Sequence, residues 1–286
     1  MLLARHRQRL NLGAKGAATG RWLQPFARWR YRNGIHHTNI SHEDRKMLNT
    51  RNLASLSAGL LSLLMIAPAC AANMNRSITI GDGMETDGHS TVNGSISVGA
   101  DSTIDGSLDT VNGTIRVDEN TSVKDVETVN GSIRLASGVS TKDIGSVNGS
   151  IRLAERVTVV GEISVVNGKI SLGKGTKVAH EVSNINGEIK LDGADVAGDL
   201  STMNGDITLS DGAVVRGDII VEKPGGWNNN SSNRKPRVII GPGSSVLGTI
   251  ELERKVELFI SDGAEVGGVS GVMSMDDAVR FSGDRP

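Results

Sequence analysis

The sequence predicts an all-β fold: a single-stranded parallel β-helix (β-solenoid) of 18–19-residue rungs, preceded by a signal peptide. Three observations predict it. A unit of the form V-N-G-x-I-x-L recurs at nearly constant spacing, and repeats of this length are typical of stacked architectures. The 286 residues include 36 Gly but only 3 Trp, 1 Tyr and 3 Phe, which suits thin aliphatic layers better than one bulky core. A short apolar stretch precedes the first repeat.

The N-terminal part differs from the rest in charge. Residues 1–46 carry ten Lys/Arg and two Asp/Glu, a net charge of +8, whereas residues 47–286 carry 21 and 30. From Met47 the chain resembles a secretory signal, with Arg51, an apolar run at 53–66 and small residues that include an A-x-A cleavage pattern at 69–71. The apolar run is too short to span a bilayer comfortably. We therefore predict a signal peptide at 47–71.

A signal that begins at residue 47 is unusual if translation starts at Met1. The sequence thus predicts that residues 1–46 are a non-native or disordered N-terminal extension that arises from start-site choice. The alternative is a genuine basic arm that binds nucleic acid or anionic lipid. We favour the first interpretation, so we expect an exported protein of the periplasm or cell surface with no nucleic-acid partner.

The single cysteine, Cys70, lies at the predicted cleavage site and can form no internal disulfide. A lipoprotein signal usually has Leu three residues before its cysteine, where this chain has Ala67. We therefore favour soluble export over lipidation of Cys70. Membrane attachment is expected only if Cys70 is lipidated.

Seven copies of the repeat unit set the period of the remaining chain, and their glycines are 19, 18, 18, 19, 19 and 18 residues apart. The copies are Val92–Val98, Val111–Val117, Val129–Leu135, Val147–Leu153, Val166–Leu172, Ile185–Leu191 and Met203–Leu209. Asn-Gly is also a strong hairpin signal, so an antiparallel meander is the competing fold. Such a meander needs about fourteen strands, more than open sheets usually hold, and gives equivalent residues no reason to match. We favour parallel coils, which stack equivalent residues about 4.8 Å apart.

The solenoid makes specific geometric predictions. The Asn side chains should hydrogen-bond to one another along the axis, and the following Gly should supply a corner with positive φ. In G-x-I-x-L the Ile and Leu/Val should point inward, and the intervening Ser, Thr, Arg and Lys outward. About nine to eleven rungs fit after residue 72, in a rod of roughly 45–50 Å.

The solenoid domain is predicted to span 72–286, with a loop insertion at 222–237 that is rich in Gly, Asn and Ser. Repeat character resumes at Val238. Phe259 and Phe281 are candidates to plug the C-terminal end of the stack, because terminal repeats need a cap. They are alternatively ordinary core residues of irregular last rungs.

The sequence contains no pattern that predicts a catalytic, cofactor-binding or metal site. Two outer columns and one loop are candidates for partner contact. The acidic column either holds Ca²⁺ or is a solvated face. The basic column either binds a polyanion or is also solvated. Trp227, among the basic residues of the insertion, is a candidate for contact with a sugar or headgroup. The acidic column comprises Asp125, Asp143, Glu162, Glu181, Asp199 and Asp218; the basic column comprises Arg116, Arg134, Arg152 and Lys190, interrupted by Ser171.

Two bacterial families resemble this chain over residues 77–270. The units Val196-Ala197-Gly198-Asp199-Leu200 and Val215-Arg216-Gly217-Asp218-Ile219 resemble bactofilins, which are polymer-forming right-handed β-helices. The V-N-G-x-I-x-L units resemble bacterial adhesin-like repeat proteins, which are also β-solenoids. Bactofilins are cytosolic and lack export signals, so this chain departs from them at residues 47–71.

Together these features predict a non-enzymatic, secreted structural or adhesin-like β-solenoid of the cell envelope that self-assembles end to end if its terminal strand edges are open. The alternative is an envelope module that binds anionic glycan or lipopolysaccharide. A lyase-type β-helix enzyme is disfavoured, because such enzymes carry their sites in long flanking loops that these short rungs do not accommodate.

Overall fold

The computed structural model describes residues 75–224 and 234–286, which form an all-β parallel solenoid. The fold prediction is therefore confirmed. The predicted extension at 1–46, the predicted signal peptide at 47–71 and Trp227 lie outside the described residues. Within the described part, no helix has the length and apolar character needed to cross a membrane.

Each coil contributes strands to three faces. The first face is an eleven-stranded parallel sheet. Its strands are Ile78–Ile80, Ile96–Val98, Ile115–Val117, Ile133–Leu135, Ile151–Leu153, Ile170–Leu172, Glu188–Asp192, Asp206–Ser210, Arg237–Ile240, Glu257–Ser261 and Val279–Phe281. Eleven strands agree with the predicted number of rungs.

The second and third faces join into one further sheet. The second face has short strands at Glu85–Thr86, Thr103–Ile104, Ser122–Val123, Ser140–Thr141, Thr158–Val159, Lys177–Val178, Asp195–Val196 and Val214–Val215. The third face has His89–Thr91, Leu108–Asn112, Val126–Asn130, Ile144–Asn148, Ile163–Asn167, Val182–Asn186, Leu200–Thr202 and Ile219–Val221. Two later strands, Ser245–Leu252 and Glu265–Gly271, run across both faces, and one short 3-10 helix lies at Met275–Asp277.

The core is a column of aliphatic layers. In the rung that begins at Ile151, the six inward side chains are at most 2% exposed. They are Ile151, Leu153, Val157, Val159, Ile163 and Val165. Neighbouring rungs pair in register, as in Ile133 with Ile151 and Ile151 with Ile170. Like residues therefore lie over like, and each layer depends on its neighbours for burial.

An asparagine ladder runs along the corner between the third and first faces. Seven side-chain hydrogen bonds of 2.7–3.0 Å connect eight asparagines, and each Nδ2 donates to the Oδ1 of the preceding rung. The members are Asn75, Asn93, Asn112, Asn130, Asn148, Asn167, Asn186 and Asn204. At the C-terminal end, Arg254 Nη1 donates to Asn204 Oδ1 at 2.9 Å. The predicted ladder is present, and a cation caps its last acceptor.

The role predicted for the glycine after each asparagine is wrong. Of the seven Asn-Gly glycines, only Gly187 has positive φ. The glycines are needed for close approach, because a Cβ on Gly149 would lie less than 3.0 Å from the carbonyl oxygen of Gly131 one rung below. Left-handed residues lie instead at the corner between the first and second faces, for example Asn120 (φ 55°) and Gly138 (φ 76°).

The C-terminal end is not plugged by phenylalanine. Phe259 points outward from the first face, where Arg237 Cζ lies 5.6 Å from its ring centroid. Phe281 is half-buried in the last strand opposite Ser261. Met273, Met275 and Ala278 are among the partly buried residues that pack against the core in the last coils, together with Ala264, Val266 and Val269. Flexible thioether side chains fill this irregular space.

Candidate functional site

The basic column is a straight row on the outer side of the first face. Arg116, Arg134 and Arg152 pair directly in register on three successive strands. Ser171 and Lys190 continue the register on the next two strands. In each arginine strand the residues on either side of the cation, Ile and then Val or Leu, are buried. Because side chains alternate along a strand, the arginine points outward. The structure therefore brings all four predicted basic residues onto one surface.

Ser171 makes a notch in this row. A groove of about 430 Å³ opens where its short side chain leaves space between Arg152 and Lys190. Polar and charged side chains dominate the lining, and the charges are four cations and one carboxylate. The polar and charged lining residues are Ser132, Ser150, Ser171, Arg134, Arg152, Lys169, Lys190 and Glu188. Arg116 lies one rung beyond the groove.

Charge is only partly balanced in this groove. Lys169 Nζ and Glu188 Oε2 form an ion pair at 3.0 Å. By contrast, Arg116, Arg134 and Arg152 make no side-chain hydrogen bond or ion pair within the part of the chain that the structure describes. Their side chains are exposed. Three guanidinium groups about 4.8 Å apart thus present their donors to solvent, in a geometry suited to carboxylate or phosphate.

The acidic column lies at the corner between the second and third faces, where it has a structural role that the sequence did not predict. Asp143 Oδ1 accepts from the backbone N of Glu162 at 2.9 Å, and Asp199 Oδ1 accepts from the backbone N of Asp218 at 2.7 Å. Asp218 Oδ1 in turn accepts from Thr249 N at 2.8 Å. These carboxylates therefore tie successive rungs together. Over residues 75–224 and 234–286, no three His, Cys, Asp or Glu side chains are placed to hold a metal ion.

The third face carries a feature that sequence reasoning missed, namely an outer apolar column. The first residue of each V-N-G-x-I-x-L unit points outward. The residue before it is buried in the core, and the asparagine after it ends the strand at the corner. Val92 is 38% exposed, and the other members are half-buried. The column, called the valine stripe below, comprises Val92, Val111, Val129, Val147, Val166, Ile185 and Met203.

Two stacked carboxyl groups lie beside the valine stripe. Asp109 and Glu127 pair in register on neighbouring strands of the third face. Burial raises the pKa of Asp109 to about 6, although the hydrogen bond from Ser90 Oγ to Asp109 Oδ2 (3.2 Å) lowers it. Burial, together with the charges of nearby carboxylates including Asp109, raises the pKa of Glu127 to about 7. These groups therefore change charge near neutral pH.

The direction of the valine stripe was in principle visible in the repeat. The buried residue before each valine is Thr or Ser in several rungs, such as Thr110, Thr128 and Ser146. Strict alternation from the preceding inward aliphatic residue, Ile144 for example, puts the valine outside. The inward threonine hydroxyls are used, because Thr110 Oγ1 donates to the carbonyl oxygen of Gly94 at 2.9 Å and Thr128 Oγ1 to that of Gly113 at 3.4 Å.

No protein-family model, curated protein or solved structure matches this chain. The stacked parallel coils are therefore shown by the structure alone, and the resemblances to bactofilins and adhesin-like proteins stay predictions.

Proposed function

We propose that this chain is a non-enzymatic, secreted structural or adhesin-like β-solenoid of the cell envelope, as its repeats and its N-terminal sequence predict. The single observation that supports this most is the unbroken stack of eleven parallel strands on the first face. The asparagine ladder adds hydrogen bonds along the same axis. A stack held in this way is stiff, and it displays outward columns at a fixed spacing.

Cell fractionation and electron microscopy test this proposal together. The mature chain should be found in the periplasm or at the cell surface, with a new N-terminus after Ala71. Purified particles should be rods of roughly 45–50 Å, the length expected for about ten rungs. A chain that stays in the cytosol with an intact N-terminus contradicts the export part. Particles without an elongated shape contradict the structural part.

A second candidate function is binding of an anionic glycan or lipopolysaccharide, and the row of unpaired arginines favours it. Arg116, Arg134 and Arg152 carry three positive charges without a neutralising partner among the described residues. A ligand with regularly spaced carboxylates or phosphates gains one charge-assisted hydrogen bond or more per rung. The groove at Ser171 offers further donors from serine hydroxyls and two lysines.

The test is a charge-matched comparison of two triple variants. Arg116→Ser, Arg134→Ser and Arg152→Ser together should weaken binding to lipopolysaccharide vesicles or to a carboxylated glycan at least tenfold, or about 1.4 kcal/mol. Each outward arginine is exposed, so the fold should persist. A matched control removes three exposed cations that form no ion pair among the described residues, by Lys174→Ser, Lys177→Ser and Lys255→Ser together. Equal retention of the arginine variant and the wild type excludes the row as the binding surface.

A further inference from the structure

The third face combines a ridge and a trough that run parallel to the solenoid axis. The ridge is the valine stripe, whose seven members extend over about 29 Å at the strand spacing. The trough is the adjacent outward column of small residues, which is lined in four successive rungs by Gly145, Ser164, Ser183 and Ser201. Both serines point outward, yet Ser164 is only 9% exposed, and Ser201 is 8% exposed because its Oγ donates to Glu181 Oε1 at 2.6 Å, so that Glu181 borders the trough at this rung.

These two features are complementary to each other. A two-fold axis parallel to the solenoid, between the ridge and the trough, places the ridge of each copy in the trough of the other. Both surfaces repeat with the same rung spacing, so one alignment satisfies every rung at once. A partner without this period matches only one or two rungs. An isologous dimer of this kind is closed and does not extend into a fibre.

The available area is sufficient for a specific but weak dimer. A five-residue strand is about 17 Å long, and seven rungs extend over about 29 Å. The face therefore contributes about 500 Å² from each copy, or about 1,000 Å² in total, which is the lower limit for a specific interface. By comparison, the outward residues of the second face, such as Thr103, Ser122 and Thr158, are polar and exposed.

We propose that the outer side of the third face docks a second copy of this chain in a parallel, side-by-side dimer, and that this docking is favoured in acid. It does not depend on the export or glycan-binding proposals.

The acid dependence comes from the N-terminal part of the same trough. There Asp109 and Glu127 occupy the column that Gly and Ser fill in later rungs. The charged groups that act on them are Asp125 and Asp143, and Lys142 Nζ neutralises part of that charge at 2.7 Å from Asp143 Oδ2. Docking a valine ridge onto a carboxylate removes water from its charge, which is unfavourable. A protonated carboxyl removes most of this penalty.

Sedimentation velocity on the full chain tests the proposal at about pH 5 and about pH 8, at concentrations up to about 100 µM, which detects an association free energy near −5.5 kcal/mol. The expected mass at the lower pH is that of a dimer, and at the higher pH the Kd should rise at least tenfold. Electron microscopy should show particles of doubled width and unchanged length. Doubled length, which end-to-end association produces, counts against the proposal.

Variants locate the interface. Val147→Lys with Val166→Lys introduces two charges on adjacent rungs of the ridge that persist at both pH values, and should give a monomer at both. The matched control, Ser140→Lys with Thr158→Lys, introduces the same charges on adjacent rungs of the second face and should dimerise like the wild type. Glu127→Gln should keep the dimer at the higher pH. A wild-type monomer in acid, a dimer unaffected by the ridge variant, or equal Kd values at the two pH values overturns the proposal.

Discussion

The substitution Gly149→Ala provides a stringent test of the stacked corner. Gly149 has a φ that any residue can adopt, so alanine causes no backbone strain there. Its Cβ would nevertheless lie less than 3.0 Å from the carbonyl oxygen of Gly131 in the preceding rung. The obstacle is backbone, which has no alternative rotamer. The two rungs must therefore separate locally to admit one methyl group.

The cost follows from the hydrogen bonds that cross this gap. Gly131 N donates to the carbonyl oxygen of Asn148 at 3.2 Å, and Ile133 N donates to that of Ser150 at 3.0 Å. Asn148 Nδ2 donates to Asn130 Oδ1 at 3.0 Å. An increase of about half an ångström takes these bonds to the limit of useful geometry. At about 1 kcal/mol each, their loss destabilises the fold by about 3 kcal/mol.

A control substitution lies four residues away in the same rung. Gly145→Ala places its Cβ 3.7 Å from Glu127 Cγ, an ordinary van der Waals contact. This substitution should change the free energy of unfolding by less than about 1 kcal/mol. The change is stabilising where alanine lowers the conformational entropy of the unfolded chain. Urea denaturation followed by circular dichroism measures both variants. If Gly149→Ala is within about 1 kcal/mol of Gly145→Ala, the close-approach explanation of the Asn-Gly corner is refuted.

Three further predictions concern the ladder and the buried carboxyls. Arg254→Met should destabilise the C-terminal rungs by about 1–3 kcal/mol, because it removes the charged donor to Asn204 Oδ1; unchanged hydrogen exchange there contradicts it. Asn167→Ala should cost about 1–2 kcal/mol, because it breaks ladder bonds on both sides, as urea midpoints will report. Burial raises the pKa of Glu127 from 4.5 to about 7 in the folded chain. The folded chain therefore holds this proton more tightly than the unfolded chain, and the resulting stabilisation is complete below pH 4.5 and is lost as the pH rises through 7. Between about pH 5 and 8 the monomeric wild type should therefore lose about 1–2 kcal/mol more than Glu127→Gln, after allowance for solvent screening; equal losses in urea titrations contradict this.

The arginine row was predictable from sequence, but the groove beside it was not. Equal spacing of Arg116, Arg134 and Arg152 in the repeat places them in register once parallel stacking is assumed. The groove depends on how far the neighbouring side chains extend around Ser171, and on the ion pair of Lys169 with Glu188. Side-chain reach across three rungs is a property of the folded surface.

The period of the Asn-Gly units by itself determined the parallel stack, the inward Ile and Leu, and the asparagine ladder. It could do so because residues one rung apart are neighbours in a solenoid, so the repeat is a direct record of contacts. Only the tertiary structure decided why Gly149 must be glycine, and that Asp109 and Glu127 are partly buried. These features depend on where each strand bends and on how closely two backbones approach. Packing between rungs sets both, rather than any local sequence preference.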